Sequence, residues 1–387
     1  MEVYILDSLL RRERVIDQFE SLIWTERFNK FGDFEMVLRS SRSNRTLLKP
    51  GVQLAMNESH RVMTVETVEN GVNADGKTVL EIRGNSIESV LEDRVAKASM
   101  SSPTWGITDA PADVARMIFH DICVAGVLSP YDIISPTLVE GTFIVPTSNI
   151  PEPVDPITVD LPVQSVYKAI TDICDVWTLG FRLLRQDNPS ILYFDVYAGS
   201  DRTSGQTSLK PVIFAPELDN LQNTKELNSI ESAKNCAYVF APNGNTIVYP
   251  EGVAPDTDGF ERRVMYIDAN DIDLAAGPLL DAALIQRGKD ELAKARAIKA
   301  FDGEINQNSQ YRYERDYFLG DLVEMRNIDG DANQMRVTEQ IFVSDEQGER
   351  SYPTLTLNQF INTGSWLSWE ANQQWVDFDT EFWDELP

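Results

Sequence analysis

Apolar and polar positions alternate along much of this chain with the two-residue period of half-buried strands, and only a few stretches change to the 3.6-residue period of helices. The alternation runs imperfectly from Val15 to Trp24, and Phe34-Glu35-Met36-Val37-Leu38 resumes it beyond Gly32. Residues 20–35 therefore predict two strands joined by a glycine-containing turn, with Trp24, Phe28, Phe31 and Phe34 as a large apolar payload at one corner. Short β-prone runs follow at 52–56, 61–68 and 78–82, and Asn73-Ala74-Asp75-Gly76 supplies turn chemistry between the last two. The stretch 1–96 thus predicts a small antiparallel barrel or sandwich. A helix is expected to end it, capped by Asn85 with Glu88 three residues on, and with Ile87, Val90, Leu91 and Val95 on one face.

The period changes over 97–198. Pro111 precedes Val114, Met117, Ile118 and Ile122, and a second run uses Val163, Val166, Tyr167, Ile170 and Ile173, which predicts two packed helices. Between them, Pro130, Pro136, Pro146, Pro151, Pro153 and Pro156 favour an extended surface loop. Residues 181–184 and 190–196 predict a hairpin across Asn188-Pro189, so this part reads as an α+β insertion. Strand patterning returns over 199–245, gives way over 246–305 to a loop and a locally basic helix from about Leu279 to Phe301, and resumes over 306–361. The later strands include Tyr311-Arg312-Tyr313, Asp321–Met325, Gln334–Thr338 and Thr354–Leu357, with a turn at Asp329-Gly330-Asp331. A second β domain, split by a helical insertion, is the expected arrangement.

Residues 362–387 form a distinct tail with four of the seven tryptophans and six acids, and neither Lys nor Arg. Exposed aromatics of this kind anchor interfaces, so Trp366, Trp369, Trp375, Phe382 and Trp383 are the candidate partner-binding residues. Whether the tail docks on a neighbouring protein or wraps over its own chain stays open at this level.

With 34 basic against 61 acidic side chains, the chain carries a net charge of −27, which repels phosphate backbones and anionic membranes. That balance argues against a DNA-gripping role; an acidic wall would let DNA slide past without anchoring it, and acidity also simply aids solubility. Cys123, Cys174 and Cys236 are odd in number and widely spaced, as buried free thiols rather than a disulfide framework or thiolate metal cluster. The opening Met1-Glu2-Val3-Tyr4-Ile5-Leu6-Asp7 lacks a basic leader and no apolar run is long enough to span a bilayer, so a soluble protein is expected.

Chemistry is sparse. His60 and His120 lie near no second ligand or nucleophile in sequence, and no nucleophile elbow, zinc motif or phosphate-cradling loop is present. Asn327, Asp329, Asp331 and Asn333 alternate like an oxygen-ligand loop, but Ala332 and Thr338 stand where an EF-hand needs glycine and glutamate, and a hairpin turn is the better reading. No catalytic residue, cofactor or metal is assigned.

Several motifs in fixed order carry a resemblance: the opening hairpin, then Gly199-Ser200-Asp201-Arg202-Thr203, Val212-Ile213-Phe214, Asp219-Asn220-Leu221, Lys234-Asn235, Arg263-Val264 with Asp268, Tyr317-Phe318-Leu319-Gly320-Asp321-Leu322-Val323, and Val337-Thr338-Glu339. From Val3 to about Leu357 the chain resembles the siphophage tail-hub family, tail-associated proteins found especially in phages of actinobacteria. The resemblance implies a mainly β, baseplate-hub-like fold with α+β insertions and two tail-tube-like antiparallel β-barrels per chain. It also implies a homotrimer at the tail tip of the virion, made in the host cytoplasm. Such a trimer would adapt a six-fold tube to a three-fold tip, and DNA would pass through its lumen without specific binding. Implied partners are the distal tail protein ring, the tail tube and tape measure, and other minor tail or fibre proteins. A receptor- or glycan-binding tail protein and a tail-associated cell-wall hydrolase are the alternatives.

Overall fold

The computed structural model describes residues 1–72, 76–102, 104–134, 143–144, 156–187, 190–250, 259–270, 272, 274–295, 298–305, 310–327, 330 and 332–357. The chain packs as two compact units, Met1–Leu221 with Ile305–Pro387, and Gln222–Glu304.

The first unit begins with β1 (Val3–Leu6), β2 (Arg12–Ile16), β3 (Ser21–Arg27), β4 (Asp33–Arg39), the short helix α1 (Arg42–Leu47), β5 (Gln53–Met56), β6 (Ser59–Val72) and β7 (Thr78–Ser86). All of these strands are antiparallel, in the spatial order β2-β1-β5-β6-β7-β4-β3. The expected hairpin is β3 with β4, Ser21 opposite Val37 and Trp24 opposite Phe34. Its alternation aims Leu22 and Trp24 inward with Phe34, Met36 and Leu38, and the sheet curls around them together with Val3, Leu54, Met63 and Val65. Full burial of each such side chain contributes roughly 1.5–3 kcal/mol, which sets the register, because a one-residue slip would turn the whole set to solvent.

Two details depart from the sequence reading. Trp24 packs on Phe34, with ring centroids 5.9 Å apart, but Phe28 and Phe31 lie beyond the strand end and pair instead with Tyr197 and Tyr167 of the following segment. Residues Ile87–Asp93 form a 3-10 helix in place of the expected capped α-helix. Asn85 belongs to β7 and donates to Glu66, and Glu88 is fully buried, so its carboxylate cannot close a capping box.

A helical layer covers the outer face of this sheet. β8 (Trp105–Asp109) leads into α2 (Pro111–Phe119), which continues as one turn of π-helix over His120–Val124. After β9 (Phe143–Ile144) and β10 (Ile157–Leu161), α3 (Val166–Trp177) starts at Ser165, whose hydroxyl accepts from Lys168 N. Val163 stands before this helix and is exposed. The hairpin of β11 (Leu179–Asp187) and β12 (Ser190–Ala198) forms as the alternation predicts. Ile118, Ile122, Ile170, Ile173, Phe181 and Phe194 make a second core with Leu6, Val62 and Leu91, so the sheet is buried on both faces here. Phe119 stacks on Phe194 at 3.8 Å between centroids.

The chain then adds β13 (Ile213–Phe214) and, after the second unit, three more strands to the same sheet. The second unit is entered through β14 (Leu221–Ser229) and left through β18 (Ile298–Ile305), which pair with each other. Within it, β15 (Cys236–Ala241) lies between antiparallel β16 (Gly244–Val248) and parallel β17 (Val264–Asp268). α4 (Pro278–Lys294) buries Leu280, Leu284 and Leu292 against Ala237, Val239 and Val248 of this sheet. The helix ends before the expected Phe301, because the residues from Ile298 pair as a strand.

β19 (Leu322–Arg326), β20 (Ala332–Asp345) and β21 (Gly348–Leu357) return to the first unit. β20 is fourteen residues long, enough to pair first with β19 and then with β3 along one side, where Glu339 stands opposite Arg27 and Ser344 opposite Leu22. The strands of both expected barrels thus run on as one continuous eleven-stranded sheet, and no sheet closes among the described residues. Tyr311-Arg312-Tyr313 is a turn with a single bridge from Tyr313 to Tyr317, not a strand.

Candidate functional site

The residues marked for partner binding, Trp366, Trp369, Trp375, Phe382 and Trp383, lie outside the described residues, as do Asp329 and Asp331 of the loop weighed for calcium. Among the described residues, no group of three or more His, Cys, Asp or Glu side chains could hold a metal ion, and no helix is long and apolar enough to cross a membrane. His60 and His120 are exposed, the first 3.8 Å from Glu314 and the second beside Asp121. All three cysteines are buried and unbridged, and burial pushes the Cys123 thiol up to about 12, which suppresses thiolate chemistry.

Several of the motifs that carry the resemblance meet at one junction of the first unit. Asp321, buried, accepts from Ser200 N at 2.7 Å, Arg202 Nε at 2.6 Å and Phe318 N at 2.9 Å. Ser204 donates from its N and Oγ to Glu324, and Asn220 ties its own turn to Ile213 and Ala215. At the centre lies Phe28, buried, edge-on to Tyr197 at 5.5 Å and with the Arg336 guanidinium 5.9 Å from its ring. A Cβ on Gly180 would come within 2.5 Å of that ring, and one on Gly320, whose φ is +90°, would overlap it. Segments 28, 180, 197 and 320 are therefore clasped around a single aromatic ring. In the second unit, Asn235 plays the corresponding tying role, bonding Arg263 N and the Glu261 carbonyl.

Next to this junction sits a buried charged pair. Arg61 is bound to Glu88, and Glu88 also accepts from Leu183 N at 2.7 Å. Burial opposes the Arg61 charge, but the Glu88 carboxylate together with Tyr197, Glu26 and Tyr313 outweighs it and holds the guanidinium above its ordinary range. Glu26, on β3, accepts from the Ser59 hydroxyl and from the Tyr313 hydroxyl at 2.9 Å. Burial pushes its carboxyl above the usual range despite the nearby Arg61.

Tyr313 connects this interior to a cleft of about 650 Å³ lined by Asn57 and Glu58 of the β5–β6 turn, Phe214, Ile305, the 311–314 turn, Tyr317, Phe342, and Ser351 and Pro353 of β21. It lies between that turn, the β5–β6 turn and the edge strand β21. Aromatic rings follow one another along the wall: Tyr311 with Phe214 at 5.6 Å, Phe214 with Tyr317 at 6.3 Å, Tyr317 with Tyr313 at 5.8 Å and Tyr313 with Phe342 at 6.0 Å. Nothing in the linear pattern marks this cleft, since its lining comes from five separated segments; the only local signal is the dense tyrosine spacing of 311–317.

The described residues thus form a mainly β sheet with a helical layer and a tied motif junction. Two solved structures share this fold: the tail protein from Neisseria meningitidis MC58, with 13% identity over 93% of this chain and 98% of that one and a TM-score of 0.54, and the 43 kDa tail protein of prophage MuSo2 from Shewanella oneidensis, with 11% identity over 94% and 100% and a TM-score of 0.55. Comparison with curated proteins found no match. Residues 2–355 match the family of Siphovirus ReqiPepy6 Gp37-like proteins, and the chain belongs to this siphovirus tail protein family.

Proposed function

We propose that the protein is a non-enzymatic hub at the tail tip of a long-tailed phage, a homotrimer that adapts the six-fold tube and distal tail ring to a three-fold tip and lines the channel for genome passage. The observation that carries this reading is the open sheet of a tail-family chain. Its seven amino-terminal strands and its β13, β19, β20 and β21 strands run on as one open sheet, with β2, β13 and β21 at its edges. Exposed edges invite pairing with another chain. With the amino-terminal and the later strands acting as two lobes, three copies would bring six of them around one axis, and edge strands of neighbouring copies would complete one another. The net charge of −27 suits a wall past which DNA slides. The tail 362–387 would then be an arm that docks through Trp366, Trp369, Trp375, Phe382 and Trp383 on a neighbouring tail protein.

Native mass measurement of the purified chain, together with the symmetry of the tail tip in electron micrographs, tests the hub. The expected result is a three-fold assembly with an acidic lumen. A persistent monomer, or a pore lined by basic residues, refutes it. Unchanged particle assembly after deletion beyond Asn362 would remove the arm from the proposal, and clearing of host cell walls in a zymogram would replace the non-enzymatic reading with the hydrolase.

A further inference from the structure

The tyrosine-lined cleft plays no part in the hub reading, yet it is built like a small-ligand site. Its volume of about 650 Å³ falls within the ~300–1,000 Å³ typical of such sites. Its tyrosines are fixed before any ligand arrives. Tyr313 donates to Glu26, Tyr317 donates to Gln340 at 2.9 Å, and the Tyr311 hydroxyl accepts from Ile213 N at 3.3 Å. Rings anchored by their hydroxyls can act on a ligand only through their faces and edges. The turn that carries them is also locked: Glu314 is held at φ +60°, a left-handed conformation that side chains rarely adopt, while Glu314 N donates to Tyr317 O at 2.9 Å and Asp316 bridges back to Arg312. Such backbone strain concentrates where a fixed geometry is used.

The charges narrow the ligand class. One guanidinium, Arg312, stands among two carboxylates, Glu58 and Glu314, so the lining favours neither a phosphate nor a polycation. Asn57 and Ser351 add neutral donors and acceptors. A ligand matching this set needs apolar faces for the half-buried Tyr311 and Tyr313 rings and many hydroxyls for a rim of mixed donors and acceptors. Sugar rings have that composition: axial C–H groups on one face, hydroxyls around the edge and no net charge. We propose that the cleft binds a short uncharged oligosaccharide, with Tyr311 and Tyr313 as the stacking platform and Asn57, Glu58, Arg312 and Ser351 reading the hydroxyls.

The test is calorimetric titration of the full chain with maltotriose, cellotriose and chitotriose. At least one should bind with a dissociation constant of about 1 mM or tighter. Tyr311→Ala should weaken that binding by about tenfold or more, while Tyr311→Phe, which keeps the ring, should retain it. Asn57→Ala, on the exposed β5–β6 turn, is the second variant should Tyr311→Ala fail to fold, and it should also weaken binding. No binding of any trisaccharide at about 10 mM overturns the proposal, as does binding that both variants leave unchanged. A synthetic peptide of residues 362–387 that binds where the sugars do not would overturn it too, by giving the cleft to the chain's own tail. The oligomeric state of the same samples is a separate readout, so failure here and failure of the trimer are distinguishable.

Discussion

Gly320→Ala is the sharpest test of how the first unit is held together. Gly320 has φ +90°, where an L side chain is strained, and its missing Cβ leaves the space occupied by the Phe28 ring. Forcing alanine into a left-handed position costs about 1–3 kcal/mol, and overpacking against a buried ring that is itself held by Tyr197 and the approach of Gly180 costs a similar amount. The expected loss is therefore about 2–6 kcal/mol, a large fraction of the stability of an ordinary domain. Urea unfolding followed by tryptophan fluorescence is the assay, because Trp24, Trp105 and Trp177 lie in the first unit and residues 222–304 contain no tryptophan. Phe28→Leu in the same chain removes the ring edge, so the double variant should recover the packing part and leave the backbone part, a coupling of about 1 kcal/mol or more. A Gly320→Ala loss below about 1 kcal/mol, or strict additivity with Phe28→Leu, would refute the clasp.

Two further outcomes follow from the buried charges. Arg61→Met strands the Glu88 carboxylate in the interior and should cost about 3–5 kcal/mol in the same unfolding assay, whereas Arg61→Met with Glu88→Met should recover much of it; equal losses in the two would show that the pair is not electrostatically isolated. For Glu26, burial raises the folded pKa above the unfolded one, so the folded state holds its proton to higher pH. Its contribution is then fully present below the unfolded value and is lost as pH rises through the folded one. The stability of wild type relative to Glu26→Gln should accordingly fall as pH rises above about 4.5, and a difference that stays flat from about pH 4 to 8 would contradict the burial effect.

Local chemistry was legible wherever one residue's neighbours in sequence are also its neighbours in space. The β3–β4 and β11–β12 hairpins, α2 beginning at Pro111 and α3, apart from Val163 which precedes it, follow from period and Pro placement alone. The motif positions Gly199–Thr203, Tyr317–Val323 and Val337–Glu339 were also visible, but not their purpose. Asp321 and Gly320 derive their roles from Ser200, Arg202 and Phe28, which are remote in sequence. The same distance explains the miss at Ile87–Asp93. A glutamate three residues past a polar residue looks like a cap, and only the burial of Arg61 beside it shows why this carboxylate turns inward.

What the sequence determined by itself was the kind of material: strands with one apolar face, two amphipathic helices, an acidic surface and no cluster of reactive groups. Tertiary structure decided how many cores those strands build. Because β20 is long enough to satisfy β19 and β3 in turn, strands some three hundred residues apart share one ladder, and the strands of both expected barrels run on in a single sheet that does not close among the described residues. Backbone hydrogen bonds carry no record of sequence separation, so a periodic pattern can specify a strand without specifying its partner. The tyrosine-lined cleft arises for the same reason, since its lining comes from segments remote in sequence.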